Sequence, residues 1–223
     1  MSVLEEIKGG LVVSCQALED EPLHGSEIMA KMAKAAEEGG AIGIRANSPQ
    51  DIKAIKKEVD LPLIGIEKTE VYDPQVYITP TFKEAKRVWQ AGADIIAIDA
   101  TKNPHPQESL TELVQKIHEE LKAPVMGDIS ILEEGIKAEE IGIDVVGTTL
   151  SGYTEYSRDQ AGPDFELLKN LVETLSIPVI MEGKIRRPEE VKRAIDIGAH
   201  AVVVGTAITR PQIITAEFAE VLG

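Results

Sequence analysis

Ile177-Pro178-Val179-Ile180-Met181-Glu182-Gly183-Lys184-Ile185 is a short, almost unbroken apolar run that stops at a glycine and polar residues, and Gly198-Ala199-His200-Ala201-Val202-Val203-Val204-Gly205-Thr206-Ala207 repeats the design further on. Runs of this kind are expected of parallel strands buried on both faces, with their carboxyl ends opening onto a site. Two neighbouring strands that end in glycine suggest a phosphate cradle. In an eight-fold βα barrel the loops after the seventh and eighth strands commonly supply one, because unobstructed backbone N–H groups and a following helix N-terminus favour an anion. Gly183, Lys184, Gly205 and Thr206 are the candidate phosphate-binding residues. The plainer alternative is that Gly183 and Gly205 only let strands turn into loops.

Working outward, two kinds of junction alternate along the chain. In one, a proline enters an apolar run: Leu61-Pro62-Leu63-Ile64, Ala123-Pro124-Val125-Met126 and Ile177-Pro178-Val179-Ile180. In the other, a helix-ending glycine leads straight into one: Gly40-Ala41-Ile42, Gly92-Ala93-Asp94-Ile95, Gly142-Ile143-Asp144-Val145 and Gly198-Ala199-His200-Ala201. Each kind recurs at roughly fifty to sixty residues, the length of two βα units. With the first strand this predicts strands near 10–16, 42–47, 62–68, 95–100, 124–129, 145–149, 178–182 and 201–205. Between them lie amphipathic segments with helix-start signals. Ser48-Pro49-Gln50-Asp51 offers an N-cap followed by proline, Thr81-Phe82-Lys83-Glu84 is a capping box, and Pro188 and Pro211 open the last two helices. Helices are predicted near 25–38, 49–59, 82–91, 107–121, 132–141, 164–175, 188–197 and 211–222. Strict alternation at this length favours a single-domain (β/α)8 TIM barrel over residues 1–223 rather than an open doubly wound sheet. Two loops on the carboxyl side of strands are long: 69–80, with Tyr72, Asp73, Pro74 and Tyr77, and 151–163, with Gly152, Tyr153, Tyr156 and Gly162. Either is a candidate lid or a plain surface loop.

A chain of 223 residues with 43% hydrophobic content can bury a sizeable core. A formal charge of −15 and 4% aromatic residues argue against a nucleic-acid partner, so any anionic ligand must be held locally. No apolar run reaches membrane-spanning length and residues 1–9 carry no leader pattern, which predicts a cytoplasmic protein without a membrane partner. The lone Cys15, in the run Leu11-Val12-Val13-Ser14-Cys15, is expected to be a buried structural thiol.

Placing the strands exposes a ring of polar side chains at their carboxyl ends: Gln16, Arg45, Lys68, Asp99 with Thr101, Asp128, Thr148 with Thr149, Glu182 and Thr206. A catalytic mouth requires such a ring. By alternation Ile64, Ile66 and Lys68 share one face of the third strand, and Ile180 shares one with Glu182 on the seventh. Strands three and seven lie half a turn apart, so Lys68 and Glu182 would face each other across the mouth with a substrate between them; a structural ion pair is the alternative. Arg45 can also reach inward above Gly43, or can form a salt bridge to Asp128 that holds the rim. Metal chemistry is not expected. None of His24, His105, His118 and His200 ends a strand or pairs with another at ligand spacing, and Asp99 and Asp128 suit hydrogen bonds to substrate hydroxyls.

Seven stretches resemble the N-acetylmannosamine-6-phosphate 2-epimerase family of bacterial sialic-acid catabolism. They are Val13-Ser14-Cys15-Gln16-Ala17-Leu18, Gly43-Ile44-Arg45-Ala46-Asn47-Ser48, Ile78-Thr79-Pro80-Thr81, Ala97-Ile98-Asp99-Ala100-Thr101, Gly147-Thr148-Thr149-Leu150-Ser151-Gly152-Tyr153-Thr154, Glu182-Gly183-Lys184-Ile185 and Val204-Gly205-Thr206-Ala207-Ile208-Thr209-Arg210-Pro211. They run from the first strand to the last helix. The resemblance implies a (β/α)8 barrel that interconverts N-acetylmannosamine 6-phosphate and N-acetylglucosamine 6-phosphate without metal or organic cofactor. It implies Lys68 and Glu182 as the acid/base residues, with Gln16, Arg45, Asp128 and Arg210 contacting the sugar phosphate. Two residues depart from the pattern. Glu67 stands where an apolar residue is expected and Met181 replaces a smaller one; both should point toward the helix layer, although Glu67 near the rim could raise the pKa of Lys68.

Inverting C2 of a 2-acetamido sugar requires ring opening, removal of a hydrogen next to a carbonyl, and return of a proton to the other face. Lys68 must then be neutral part of the time, helped by Arg45 and desolvation, and Glu182 must be protonated when it acts as acid. The rivals are a phosphate-binding barrel acting on another sugar phosphate and a sensor that binds without turnover. A sensor has no use for an opposed acid and base. A homodimer is expected from the habit of such barrels.

Overall fold

The computed structural model describes residues 2–69 and 76–222. Its strands are β1 Leu11–Cys15, β2 Gly43–Asn47, β3 Leu63–Ile66, β4 Ile95–Asp99, β5 Val125–Asp128, β6 Val145–Gly147, β7 Val179–Glu182 and β8 Ala201–Val204. All pair in parallel in chain order, and β8 pairs back onto β1 to close the barrel. The outer helices are α2 Ser26–Glu38, α3 Pro49–Glu58, α4 Phe82–Gln90, α5 Leu110–Lys116, α6 Leu132–Glu140, α7 Phe165–Thr174, α8 Pro188–Ile197 and α10 Pro211–Glu220; a π-helical turn, Ile117–Leu121, extends α5. A one-turn α1, Val3–Glu6, and a short α9, Thr206–Thr209, complete the set. No helix among the described residues is long and apolar enough to cross a membrane.

The two alternating junctions have physical reasons. Pro62, Pro124 and Pro178 sit just before β3, β5 and β7, where no N–H is needed, and their carbonyls accept from Ile44, Ile96 and Val146 of the preceding strand at 2.9–3.1 Å. The aspartates of Gly92-Ala93-Asp94 and Gly142-Ile143-Asp144 accept the first ladder N–H beyond the proline, from Leu63 at 2.9 Å and Val125 at 2.7 Å. Each carboxylate also meets a basic side chain, Lys56 or His118. At the opposite barrel end, Glu84, Glu134 and Glu190 hold the same place in the first turns of α4, α6 and α8. Glu84 is bonded by the Thr81 hydroxyl, whereas Glu134 and Glu190 each take two or more backbone N–H groups.

Two apolar layers follow from the strand alternation. Inside the barrel, Val12, Ile64, Ile66, Ile95, Ala97, Met126, Val145, Ile180 and Val203 form one cluster. Outside, the opposite faces of the strands pack against the helices; Cys15 and Met181 belong there, both fully buried. Burial pushes the Cys15 thiol up to about 12, as an inert structural cysteine requires. The amino-terminal turn α1 leads to Ile7, which is fully buried against the interior cluster with Val3 and Leu4 beside it, so this segment floors the barrel. One turn has no periodicity to read, and the sequence reading does not contain it.

Three boundaries differ from expectation. Helix α5 starts at Leu110, because Ser109 and Glu112 form its capping box, rather than near 107. Residue Gly205 leads directly into α9, a short helix that the sequence analysis did not predict. Strand β3 ends at Ile66 rather than near 68; beyond it the chain leaves the barrel wall, and Lys68 forms an isolated antiparallel bridge with Ile78. Of the expected long loop, Tyr72, Asp73 and Pro74 lie outside the described residues.

Candidate active site

The inward-facing polar residues meet at the carboxyl end of the barrel around a cavity of about 300 Å³. Gln16, Arg45, Lys68, Glu182, Gly183, Lys184, Gly205, Thr206 and Arg210 all line it. Asp128 does not; its side chain is fully buried. The reason is Arg45. The guanidinium, itself 1% exposed, grips Asp128 with both terminal nitrogens, at 3.0 and 2.5 Å, and Thr149 Oγ1 donates to the same carboxylate at 2.6 Å. One of the two readings for Arg45, the salt bridge that holds the rim, is therefore present. Its Nη1 also donates to Glu182 Oε2 at 2.5 Å. Asp99 is likewise buried and outside the lining, bonded through Oδ1 to the Thr101 backbone and hydroxyl. Burial pushes it up to about 7.

The charges follow from this arrangement. Burial works against the charge of Arg45, but Asp128 and Glu182 outweigh it and the guanidinium stays protonated. One cation thus serves two carboxylates. Burial raises the Glu182 carboxyl, and Asp128 adds to the rise against the opposing pull of Arg45 and Lys68. Lys68 goes the other way: burial first, then Arg45, lower its pKa from 10.5 to about 8. Among the described residues no carboxylate lies within ion-pair distance of Lys68, so Lys68 and Glu182 face one cavity without being bonded to each other. Glu67 does not approach Lys68. It turns outward, as alternation requires, and its carboxylate takes two bonds from Arg87 of α4, at 2.9 and 2.6 Å.

The glycines of the cradle have different reasons. Gly183 has φ 111°, followed by Lys184 at φ 57°, a turn in the left-handed region that favours glycine. Gly205 has φ −110°, but a Cβ there would stand 3.3 Å from Ser14 Cβ, inside the lining. Lys184 is held sideways: Nζ donates to Gln160 O at 2.6 Å and sits 5.3 Å from the Tyr153 ring, which ties the loop after β6 to the cradle. Arg210 is steadied by Glu21 at 2.9 Å. Two buried polar atoms of the lining residues, Arg45 Nε and Gln16 Oε1, have no hydrogen-bond partner among the described residues.

Residues 29–223 match the family described as "Putative N-acetylmannosamine-6-phosphate epimerase" (NanE). The chain belongs to this family. A relative from Caldanaerobacter subterraneus subsp. tengcongensis is 55% identical over 220 residues, 98% of this chain and 93% of the relative. One from Clostridium perfringens is 53% identical over 221 residues, 99% of this chain and all of the relative. Both are named "Putative N-acetylmannosamine-6-phosphate 2-epimerase". A solved structure described as the N-acetylmannosamine-6-phosphate 2-epimerase from Clostridium perfringens superposes with a TM-score of 0.96 at 52% identity, covering 99% of this chain and 96% of that one.

The structure brings to the site further residues that the sequence analysis did not single out as site residues. Ser14 accepts from Gln16 Nε2 at 2.8 Å and was legible, being one pleat below it on β1. Asn47 Oδ1 accepts the Lys68 N–H at 2.8 Å, so a side chain continues the β2–β3 ladder past the end of β3. Tyr77 and Ile78 reach the cavity from the far side of a loop, and no strand pattern points to them. Among the described residues no three His, Cys, Asp or Glu side chains gather where they could hold a metal ion.

Proposed function

We propose that the chain interconverts N-acetylmannosamine 6-phosphate and N-acetylglucosamine 6-phosphate by removing and returning a proton at C2 of the ring-opened sugar, with no metal or organic cofactor. The observation that carries this reading is the pair Lys68 and Glu182, which face one cavity with their pKa values pushed toward each other. A lysine brought down to about 8 has a usable neutral fraction near pH 7, and a carboxyl whose pKa is raised is protonated more readily than an ordinary one. The names carried by relatives more than half identical along nearly the whole chain support the same substrate.

In this reading the phosphate rests on the backbone around Gly183 and Gly205, with Arg210 and Lys184 as the neighbouring cations. Neutral Lys68 removes the C2 hydrogen of one epimer and Glu182 supplies a proton to the opposite face; the roles reverse with direction. Charge that develops on the carbonyl oxygen is met by the Arg45 guanidinium at the cavity wall. Asp128 acts on Arg45 rather than on the sugar: its bidentate grip fixes the guanidinium plane. The test is proton NMR of N-acetylmannosamine 6-phosphate incubated with the protein and no added metal. Growth of the second epimer's signals is expected, and a spectrum unchanged over hours at micromolar protein would refute the reading.

A further inference from the structure

We infer that the apolar wall formed by Ile66, Tyr77 and Ile78 receives the N-acyl group at C2 and sets how large that group can be. The inference rests on the proposed reaction and goes beyond it by assigning a specificity role to residues that do no proton transfer. The cavity lining is mostly polar and charged, and its apolar and aromatic members fall in three places, of which Leu150 and Tyr153 follow β6. Ile185 and Val203 lie beside the glycine cradle, after β7 and on β8, whereas Ile66, Tyr77 and Ile78 lie on the β3–β4 side, half a turn away. A sugar phosphate anchored at Gly183 and Gly205 runs its carbon chain away from β7 and β8. C2, near the chain end farthest from the phosphate, then comes to Lys68, and its acylamino substituent meets the apolar surface next to that lysine.

That surface is built to be rigid. After the loop beyond β3 the chain returns antiparallel, pairing Ile78 with Lys68. Thr69 N donates to Tyr77 O at 3.0 Å, Thr79 N to Glu67 O at 2.9 Å, and Asp99 N to Ile78 O at 2.9 Å. The segment is thereby wedged between the end of β3 and the end of β4. Ile78 is 1% exposed, packed in the interior cluster that also holds Ile66, with Tyr77 against it. A wall fixed to the backbone of Lys68 keeps a constant distance from the atom that lysine attacks, so it gauges whatever projects from C2. An acetyl methyl suits an apolar wall; a longer acyl chain must displace Ile78.

The experiment compares kcat/KM for the N-acetyl and N-propanoyl forms of mannosamine 6-phosphate in wild type, Ile78→Ala, Ile78→Val and Ile185→Val, each shown by circular dichroism to be folded. One methylene in a hydrophobic pocket is worth about tenfold or more, so the wild type should favour N-acetyl by about that factor. Ile78→Ala should shift the ratio toward N-propanoyl by about tenfold, and Ile78→Val should shift it the same way by less. Ile185→Val, on the cradle side, should leave the ratio alone. If Ile78→Ala does not fold, Ile78→Val carries the test. A ratio unmoved in the folded Ile78 variants, or moved as far by Ile185→Val, overturns the wall while leaving the epimerase reading intact. A wild type that turns over neither amide refutes that reading and this inference with it.

Discussion

Glu182→Gln separates the two proton transfers. The substitution keeps the shape and an acceptor for Arg45 but removes the group that, in the proposed reaction, delivers a proton to the face of C2 opposite Lys68. Net epimerisation should fall by about 10²–10⁴, the usual worth of a general acid or base. Lys68 should still exchange the C2 hydrogen of one epimer, so that epimer gains deuterium in D2O while no second epimer forms. The pH dependence of this exchange carries a further sign. When ionised, Glu182 raises the Lys68 pKa against burial and Arg45. Without it the Lys68 pKa drops below about 8. Because the neutral amine is the active form, the rising limb of exchange rate against pH moves to lower pH. At pH 7 a pKa near 8 leaves about one tenth of the lysine neutral, against about one part in three thousand at an unperturbed 10.5. Arg45 retains its bidentate bond to Asp128, so stability should fall only by about 1–3 kcal/mol, the worth of one hydrogen bond to a charged group. The assay is NMR of substrate and product over pH 5–9 in D2O. Epimerisation by Glu182→Gln at near the wild-type rate, or a limb that moves to higher pH, would refute the reasoning.

Three other perturbations test separate parts. Gly205→Val should raise KM steeply, since the new side chain would occupy the cradle against Ser14; a variant shown to be folded that binds sugar phosphate as tightly as wild type places the phosphate elsewhere. Dialysis against a strong chelator should leave activity unchanged, and a loss restored by one divalent ion would bring Asp99 and Asp128 forward as ligands. Asp99 has a folded pKa raised from 3.8 to about 7, so the folded state holds its proton more tightly and this group's contribution to stability declines as pH rises from about 4 to 7. Asp99→Asn should flatten that decline in the urea midpoint, and an equally steep decline in the variant would assign it to other groups.

The barrel was legible because its strands are buried on both faces and its junctions repeat. Every strand was placed from an apolar run between a proline or a glycine and a polar residue, and those junctions have local hydrogen-bond reasons such as the Asp94 and Asp144 carboxylates. Side-chain alternation also identified which polar residues turn inward. It put Lys68 and Glu182 in one cavity, and it turned Glu67 away from Lys68, where Arg87 holds it. What alternation does not encode is how much space lies above a side chain. Asp99 and Asp128 point inward like their neighbours but are covered, Asp128 by a guanidinium that arrives from β2. Tyr77, named only within a long loop, and Ile78, named only within a family-like stretch, were not placed in the site for a different reason. Their position depends on the antiparallel pairing of Ile78 with Lys68, a contact with no period in the sequence.

The sharing of Arg45 between two carboxylates explains how a lysine base and a carboxylic acid can coexist in one buried site. With both ionised, Lys68 and Arg45 balance Asp128 and Glu182. With both neutral, Arg45 alone balances Asp128, with which it makes the bidentate pair. The two states have the same net charge and differ by one proton moved between Lys68 and Glu182, so neither requires an uncompensated charge in a desolvated cavity. Burial is the first cause of shift for both groups, and it favours the neutral pair from both sides. In the proposed reaction one turnover takes a proton onto Lys68 and gives one from Glu182, which converts the neutral pair into the ionised pair at constant total charge. Proton exchange with solvent, or between the two groups, restores the start. The same balance holds when Glu182 takes the proton and Lys68 gives it, which is the requirement for an enzyme that must run an epimerisation in both directions.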